Sequence, residues 1–279
     1  MTVDLFNNAC YDCSKAITYK YSTSFSSAIK LLHADLRASI FNIYGFVRLA
    51  DEIVDTFHLH DKPWLLQQFK EQTFDAIARG ISLNPILNSF QKTVNEYDIN
   101  HHLIHAFFKS MESDLTLNAY DRQGYEEYIY GSAEVVGLMC LNVFCEGNKA
   151  LYQKLEASAR ALGAAFQKVN FLRDIKSDFN DLSRIYFPGC DFHRFTASDK
   201  MQIEQDIEAD FKKAYIGILQ LPIKARFGVY VAYKYYYSLF DKIKCLHHQH
   251  ILQKRIRIAN YHKAYIVFRA GVKNSLRMI

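Results

Sequence analysis

The chain has 279 residues, of which 50% are hydrophobic and 15% aromatic, so it carries enough apolar side chains for one large core. Its 4 prolines and 11 glycines are too few for a loop-rich all-β protein and favour long helices. The formal net charge of +5 is too mild to indicate nucleic-acid binding, and it favours anionic ligands or a membrane surface only slightly.

The predicted helices begin near Ser22 and continue almost to the end of the chain, with no β-alternating segment or linker between them. We therefore predict an all-α protein that forms a single domain over residues 1–279. In chain order the predicted helical segments are Ser22–Leu32, Asp35–His58 with Asp35 as its cap, Trp64–Arg79, Asn84–Tyr97, His101–Leu117, Tyr125–Cys145, Lys149–Asp178, Asp199–Gln220, the aromatic stretch 229–240, and a last helix that carries Lys254, Arg255 and Arg257.

The cysteines and the N-terminal sequence indicate the cellular compartment in which the protein is expected. The six cysteines match no zinc or disulfide spacing, and the one CxxC, Cys10–Cys13, has no partner pair, which predicts reduced thiols. No basic segment followed by an apolar run resembles a signal peptide, and no uncharged apolar run is long enough to span a membrane. We expect a cytoplasmic protein.

One segment, residues 163–178, places polar side chains at helical spacing along a single face. Gly163, Gln167, Asn170, Asp174 and Asp178 are separated by four, three, four and four positions. A packing face with two amides and two carboxylates indicates a ligand that needs oxygen donors.

A second segment repeats the pattern. Tyr44, Arg48, Asp51 and Asp55 share one face of the predicted helix, and both segments contain Asp-x-x-x-Asp. Carboxylates four residues apart lie about 6 Å apart along a helix, a spacing that suits hydrated Mg²⁺ ions shared with phosphate oxygens. Two such helices face to face would form a metal–diphosphate site, in which Arg48, Arg173 or Arg184 offset the anion's charge.

Five sequence blocks resemble the squalene/phytoene synthases, which are head-to-head trans-isoprenyl diphosphate synthases. The blocks are SFSSAIKLL (24–32), IYGFVRLADEIVD (43–55), YIYGSAEVVG (128–137), FQKVNFLRDIKSD (166–178) and RIYFP (184–188). Their order and spacing match over almost the whole chain, and the residues within them are most similar to those of bacterial phytoene synthases. The resemblance implies an isoprenoid synthase fold with helices around a central cavity.

The resemblance also implies the reaction. Two geranylgeranyl diphosphates condense through prephytoene diphosphate to phytoene, with Mg²⁺ or Mn²⁺ and without NADPH, as a step of carotenoid biosynthesis. The alternative that stays open is the C30 reaction, in which farnesyl diphosphate gives presqualene diphosphate, squalene or dehydrosqualene. A non-enzymatic assembly factor of the same fold would have lost the aspartates, and all four are present here.

Roles follow from the resemblance position by position. Asp51, Asp55, Asp174 and Asp178 are expected to hold metal with Asn170, and Gln167 lies near them. Arg48, Arg173 and Ser22 are expected at the diphosphate, with Arg184 close by. Tyr44, Tyr128 and Tyr186 are expected beside the reacting carbons or the leaving group. The channel for the prenyl chain is expected to be lined by Phe25, Ile29, Ala133, Val136 and Gly137.

The chain departs from the family pattern at three places. Tyr21 stands where relatives have a histidine, and His248 falls where a tyrosine is expected near the C-terminus. The loop between Asp178 and Arg184 is one residue longer than in some relatives. Because substrate and product are very apolar, we also expect peripheral contact with the inner face of the membrane.

Overall fold

The computed structural model describes residues 2–117, 119–180, 186–190, 194–252, 255–276 and 279, with side chains up to residue 176 in the second range. Within these residues the regular elements are helices, which confirms the all-α prediction. They are α1 (Val3–Tyr21), α2 (Thr23–Ile29), α3 (Ala34–Asp55), α4 (Lys62–Arg79), α5 (Pro85–Glu96), α6 (His101–Asp114), α7 (Arg122–Ile129), a π-helical turn (Tyr130–Glu134), α8 (Val135–Cys145), α9 (Lys149–Asn180), α10 (Ala197–Ile218), α11 (Ile223–Lys244), α12 (His248–Ile251) and α13 (Asn260–Ser275).

Most helix ends follow from local capping chemistry. The side chain of Ser22 accepts a hydrogen bond from the Phe25 amide at the start of α2, and Asp61 caps the Trp64 amide at the start of α4. Helix α4 ends at Gly80, whose φ of 70° is left-handed, as the sequence predicted. Asp35 is not the cap of α3, because His33 occupies that position and Asp35 lies in the first turn.

Two other helix predictions are wrong. Helix α1 was not predicted, because its buried side chains are the small or polar Cys10, Ser14 and Thr18 rather than an apolar stripe. The last helix begins at Asn260, so Arg255 and Arg257 precede it in irregular backbone, and Lys254 lies outside the described residues.

Two hydrophobic clusters form the core. The first joins α3, α5, α6 and α8, where the Phe46 and Phe90 rings stack with centroids 3.8 Å apart. The second joins α9, α10 and α11, and it contains Phe211 and Phe240. A cavity of about 560 Å³ lies between them, lined by α2, α3, α8, α9, α10 and α11.

Close helix contact around this cavity depends on small residues. A Cβ on Gly163 of α9 would lie 2.5 Å from the Ala133 carbonyl oxygen, so only glycine permits this approach to the π-helical turn. By length and composition the described residues contain one helical segment, Arg122–Cys145, that could cross a membrane. Because 56% of its apolar window is buried against the rest of the protein, we interpret it as a core segment.

Candidate active site

The middle and last turns of α3 bring the polar face of this helix to the cavity. Tyr44, Arg48, Asp51 and Asp55 all line it, in agreement with their predicted shared face. Arg48 pairs with Glu52 and lies 3.8 Å from Asp51, measured from Nη1 to Oδ2. Burial, and then the neighbouring Asp55 carboxylate, raise the pKa of Asp51 to about 8. Ionisation of Asp51 is therefore unfavourable unless a cation lies beside it.

The matching face of α9 carries Gln167, Asn170, Arg173 and Asp174 into the same cavity. The Arg173 guanidinium donates from Nε to both carboxylate oxygens of Asp174, at 3.0 Å each. Arg255 Nε lies 2.9 Å from Asp174 Oδ1 on the other side. Asp174 is thus held between two arginines.

The two amides of α9 form a short chain of hydrogen bonds. Gln167 Nε2 donates to the Ser132 hydroxyl at 3.3 Å, and Asn170 Nδ2 lies 3.4 Å from Gln167 Oε1. The Asn170 Oδ1 atom is buried and accepts no hydrogen bond from the residues described. A buried acceptor of this kind indicates a missing cationic or donor ligand.

Three tyrosines predicted for the site also line the cavity. The Tyr128 hydroxyl donates to Asp114 Oδ2 at 2.7 Å, and its ring centroid lies 5.3 Å from that of Tyr186. Burial raises the pKa of Tyr44 and Tyr128 well above the usual value, so both hydroxyls stay neutral donors at physiological pH.

The remainder of the cavity is mostly apolar. The five predicted channel residues (Phe25, Ile29, Ala133, Val136 and Gly137) line it, and Ser22 lies near its polar end. Phe25 and Phe166 rings meet at 6.0 Å, and Phe166 stacks on Tyr236 at 3.9 Å. Beyond them, α8 and α9 extend the wall to Phe144 and Leu155.

Two predicted site residues cannot be placed. The side chain of Asp178 and the whole of Arg184 lie outside the described residues. Every other predicted site residue lines the cavity, while the roles assigned to these residues stay predictions.

The sequence assigned no site role to several further lining residues, among them Tyr21, Asp114, Tyr236 and Arg255. Tyr21 stands where the family has a histidine, and its ring centroid lies 4.4 Å from the guanidinium carbon of Arg48. The two side chains therefore form a cation–π contact. Tyr236 provides the C-terminal tyrosine of the cavity wall, and His248 does not line the cavity. Arg255, predicted as part of a basic cluster on the last helix, instead reaches Asp174.

The donor set at the polar end fits a hard divalent cation. Asp51, Asp55, Asp174 and Asn170 offer only oxygen atoms, the kind of ligand that Mg²⁺ and Mn²⁺ prefer. Among the side chains described, no three acidic, histidine or cysteine groups are close enough to form a complete metal site.

Comparison with known proteins identifies the family of the chain. The squalene/phytoene synthase family profile matches residues 18–262. A 4,4'-diapophytoene synthase from Staphylococcus haemolyticus (strain JCSC1435) is 25% identical over 205 residues, which cover 72% of this chain and 70% of that protein. The 15-cis-phytoene synthase of Pantoea ananas is 25% identical, with 80% of this chain and 79% of that protein covered. Phytoene synthase 1 of Arabidopsis thaliana is 26% identical over 84% of this chain, which spans 60% of that longer protein.

Solved structures show the same fold. A dehydrosqualene synthase superimposes with a TM-score of 0.83 at 19% identity, covering 98% of both chains. The squalene synthase HpnC from Alicyclobacillus acidocaldarius superimposes with a TM-score of 0.75 at 18% identity, covering 88% of this chain and 95% of that one. The predicted isoprenoid synthase fold is confirmed. The chain belongs to the squalene/phytoene synthase family, whose members are prenyltransferases that condense prenyl diphosphates in isoprenoid and carotenoid biosynthesis.

Proposed function

We propose that this prenyltransferase is a phytoene synthase, which condenses two geranylgeranyl diphosphates head to head through prephytoene diphosphate to phytoene. The observation that carries the proposal is the length of the cavity along α9. Its lining extends from Asp174 to Leu155, which are separated by about 28 Å of helix. At about 1.2 Å of extension per chain bond, a four-unit prenyl chain reaches about 19 Å and a three-unit chain about 14 Å. The wall exceeds both reaches, but the four-unit chain fills about two thirds of it and the three-unit chain about half, so the C20 chain leaves less of the apolar cavity empty.

The polar end supports the ionisation that begins each half-reaction. Arg48, Arg173 and Arg255 would bind the leaving diphosphate, and Asp51, Asp55, Asp174 and Asn170 would hold Mg²⁺ or Mn²⁺ beside it. When bound, the metal supplies Lewis-acid stabilisation of the charge that develops on the leaving group. Neutral tyrosine hydroxyls, such as that of Tyr44, can donate hydrogen bonds there without adding negative charge.

The apolar part of the cavity would protect the allylic carbocation after the diphosphate leaves. Phe25, Phe166 and Tyr236 present aromatic rings, which attract a cation through their negative faces. Val136 and Ile29 exclude water, which would otherwise capture the cation as an alcohol. With two substrates bound, the double bond of the second is then the available nucleophile.

The C30 reaction is the second candidate, since a relative that makes 4,4'-diapophytoene matches as well as the phytoene synthases do. Product analysis distinguishes the two. The protein is incubated with geranylgeranyl diphosphate or farnesyl diphosphate, with Mg²⁺, with and without NADPH, and products are identified by mass. We expect a C40 hydrocarbon without NADPH, and a strong preference for a C30 product would refute the substrate assignment.

A variant of the channel tests the length argument. Ala159 lines the cavity about 22 Å from Asp174 along α9, closer to the reach of the four-unit chain, about 19 Å, than to that of the three-unit chain, about 14 Å. We expect Ala159→Leu to lower turnover of geranylgeranyl diphosphate more than that of farnesyl diphosphate. The control is Ala157→Leu, on the exposed face of the same helix, which should leave the ratio unchanged.

A second pair of variants tests the carboxylates. Asp51→Ala and Asp174→Ala should each reduce diphosphate release by about 10²- to 10³-fold, the effect typical of losing a group that stabilises developing charge. Far-UV circular dichroism should be unchanged, and the exposed Asp12→Ala should retain full activity. Unfolding of the two cavity variants would instead assign these aspartates a structural role.

A further inference from the structure

Helix α13 has two opposed apolar faces. The inner face carries Ile266, Val267 and Ala270, which pack against the second hydrophobic cluster. The outer face is exposed, although it also carries large apolar side chains at helical spacing. We call this face the aromatic stripe; it consists of Tyr261 (81% exposed), Tyr265 (53%), Phe268 (69%), Val272 (45%) and Leu276 (65%).

A helix of a soluble domain needs only one apolar face to pack. Some other exposed apolar side chains of this protein, such as Leu59, are isolated, whereas the five members of the aromatic stripe recur every three or four positions along α13 and its C-terminal cap. Contiguous exposed apolar surface indicates a second partner for α13.

Positive charge lies beside the aromatic stripe. Lys234 of α11 and Arg269 and Lys273 of α13 form a group that we call the basic cluster. Burial, followed by repulsion from Lys273, lowers the pKa of Lys234; the Asp241 carboxylate opposes this shift and Arg269 adds to it. In the part of the chain that the structure describes, none of the three forms an ion pair with a carboxylate. The basic cluster is therefore an electrostatic site for an external anion.

Aromatic and basic side chains occur side by side here. The Arg269 guanidinium lies 5.7 Å from the Tyr265 ring, and the Lys234 ammonium lies 5.4 Å from the Tyr233 and Tyr237 rings. Side chains with an apolar body and a polar or cationic end are typical of the boundary between lipid headgroups and acyl chains.

Helix α13 also lies close to the polar end of the cavity. The Lys263 ammonium donates to the Thr23 hydroxyl at 2.7 Å, and Thr23 is adjacent to Ser22, which lines the cavity. A surface that bound at the outer face of α13 would thus lie near the polar end where substrates react.

We propose that the aromatic stripe and the basic cluster dock this protein on a bilayer that contains anionic phospholipids. The aromatic stripe enters the headgroup region, and Lys234, Arg269 and Lys273 contact the phosphate groups. The reason for docking rests on the proposed function, because prenyl substrates partition into the bilayer and a hydrocarbon product must enter it. A second copy of this chain is the less favourable occupant, because a two-fold contact through α13 would bring two basic clusters together.

The test measures binding to vesicles without substrate, so that it can fail independently of the proposed reaction. Partitioning of the full chain is measured by flotation with vesicles of phosphatidylcholine, with and without phosphatidylglycerol. We expect binding only when phosphatidylglycerol is present, and weaker binding at high salt. Replacing two cations, in Lys234→Gln/Lys273→Gln, should weaken binding about 25-fold, since each contributes about a factor of five near an anionic surface.

The variant Tyr265→Glu/Phe268→Glu should lower partitioning by at least about tenfold, because it removes apolar area and adds repulsion from anionic lipid. Its matched control is Leu59→Glu/Leu83→Glu, which changes two apolar residues elsewhere that are even more exposed and should bind as the wild type does. None of these residues lines the cavity, so turnover in detergent solution should be unchanged.

Two results would overturn the proposal. One is binding that is equal on both kinds of vesicle and unaffected by both Lys234→Gln/Lys273→Gln and Tyr265→Glu/Phe268→Glu. The other is no vesicle binding together with a wild-type dimer, seen by analytical ultracentrifugation, that Tyr265→Glu/Phe268→Glu dissociates. Loss of binding in the α13 and basic-cluster variants but not in the control supports it, whatever the product assay gives.

Discussion

A buried ion pair between α9 and α10 offers the sharpest test of how the site helix is held in place. The Lys168 ammonium, whose residue is 8% exposed, lies 2.6 Å from Asp206 Oδ2 and 2.7 Å from Asp210 Oδ2. Lys168 lies next to Gln167 in sequence but does not line the cavity. The variant Lys168→Met keeps the length of the side chain and removes its charge.

We expect Lys168→Met to lower the free energy of unfolding by about 3 kcal/mol, the lower end of the range for removing one partner of a buried pair. The lower end applies because the side chain of Asp206 is 48% exposed and water can solvate it, whereas that of Asp210 is 21% exposed. For a chain of this size the loss corresponds to a decrease in Tm of about 6 °C, measured by differential scanning calorimetry. Activity per folded molecule should be unchanged.

The pH dependence of this loss has a definite sign. Burial already raises the pKa of Asp210, and Lys168 opposes that rise. Without Lys168 the pKa of Asp210 increases further. The ionised Asp210 carboxylate therefore lowers the free energy of unfolding of the variant above that pKa, and this loss disappears as the pH falls through the pKa and the carboxylate is protonated. The difference from wild type should therefore be smaller at about pH 5 than at about pH 8, where the carboxylates of the unfolded chain are ionised. A difference below about 1 kcal/mol, or one independent of pH, would refute a stabilising role for the pair.

Two further predictions concern packing and thiol chemistry. Gly163→Ala should destabilise the protein by at least about 1–3 kcal/mol, because its Cβ would lie 2.5 Å from the Ala133 carbonyl oxygen; Gly271→Ala, with open space around it, should leave Tm unchanged or raise it. Burial raises the pKa of the Cys140 thiol to about 12, so iodoacetamide near neutral pH should label the exposed Cys13 and Cys245 well before Cys140, as read by mass spectrometry. Equal stability of the two glycine variants, or equal labelling of the three thiols, would contradict these statements.

The two polar faces of the site could be predicted because each lies within one helix. Spacing of three and four residues is enough to place Asp51 with Arg48, or Asp174 with Asn170, on a common face. The apolar residues around them indicated that both faces are turned inward. Local periodicity therefore predicted the part of the site that single helices build.

The missed residues depend on contacts between elements. Tyr236 lies in a run of three tyrosines, 235–237, in which only the rotation of α11 decides which ring stacks on Phe166. Arg255 reaches Asp174 from irregular backbone before α13, a path that no periodicity describes. Asp114, at the end of α6, acquires its significance only when Tyr128 of α7 donates a hydrogen bond to it. Such pairings are a property of the tertiary structure.

The charges at the polar end lead to a last prediction, which concerns the order of binding. Asp174, a predicted metal ligand, already pairs with Arg173 and Arg255, and Arg48 pairs with Glu52. A cation alone must displace arginines from Asp174, and a diphosphate alone meets carboxylates. When both arrive together, the arginines can exchange a carboxylate for a phosphate while the cation takes their place.

Binding of Mg²⁺ and of inorganic diphosphate should consequently be coupled. We expect diphosphate to raise the affinity of the protein for Mg²⁺ by at least about tenfold, and Mg²⁺ to raise its affinity for diphosphate by the same factor. Isothermal titration calorimetry measures both arms of this cycle. Mg²⁺ also binds diphosphate in solution, so the informative comparison is with Arg255→Gln, in which Asp174 has one arginine fewer to exchange. That variant should bind Mg²⁺ alone more tightly and show weaker coupling. Equal coupling in both proteins would mean that Arg255 takes no part in the exchange.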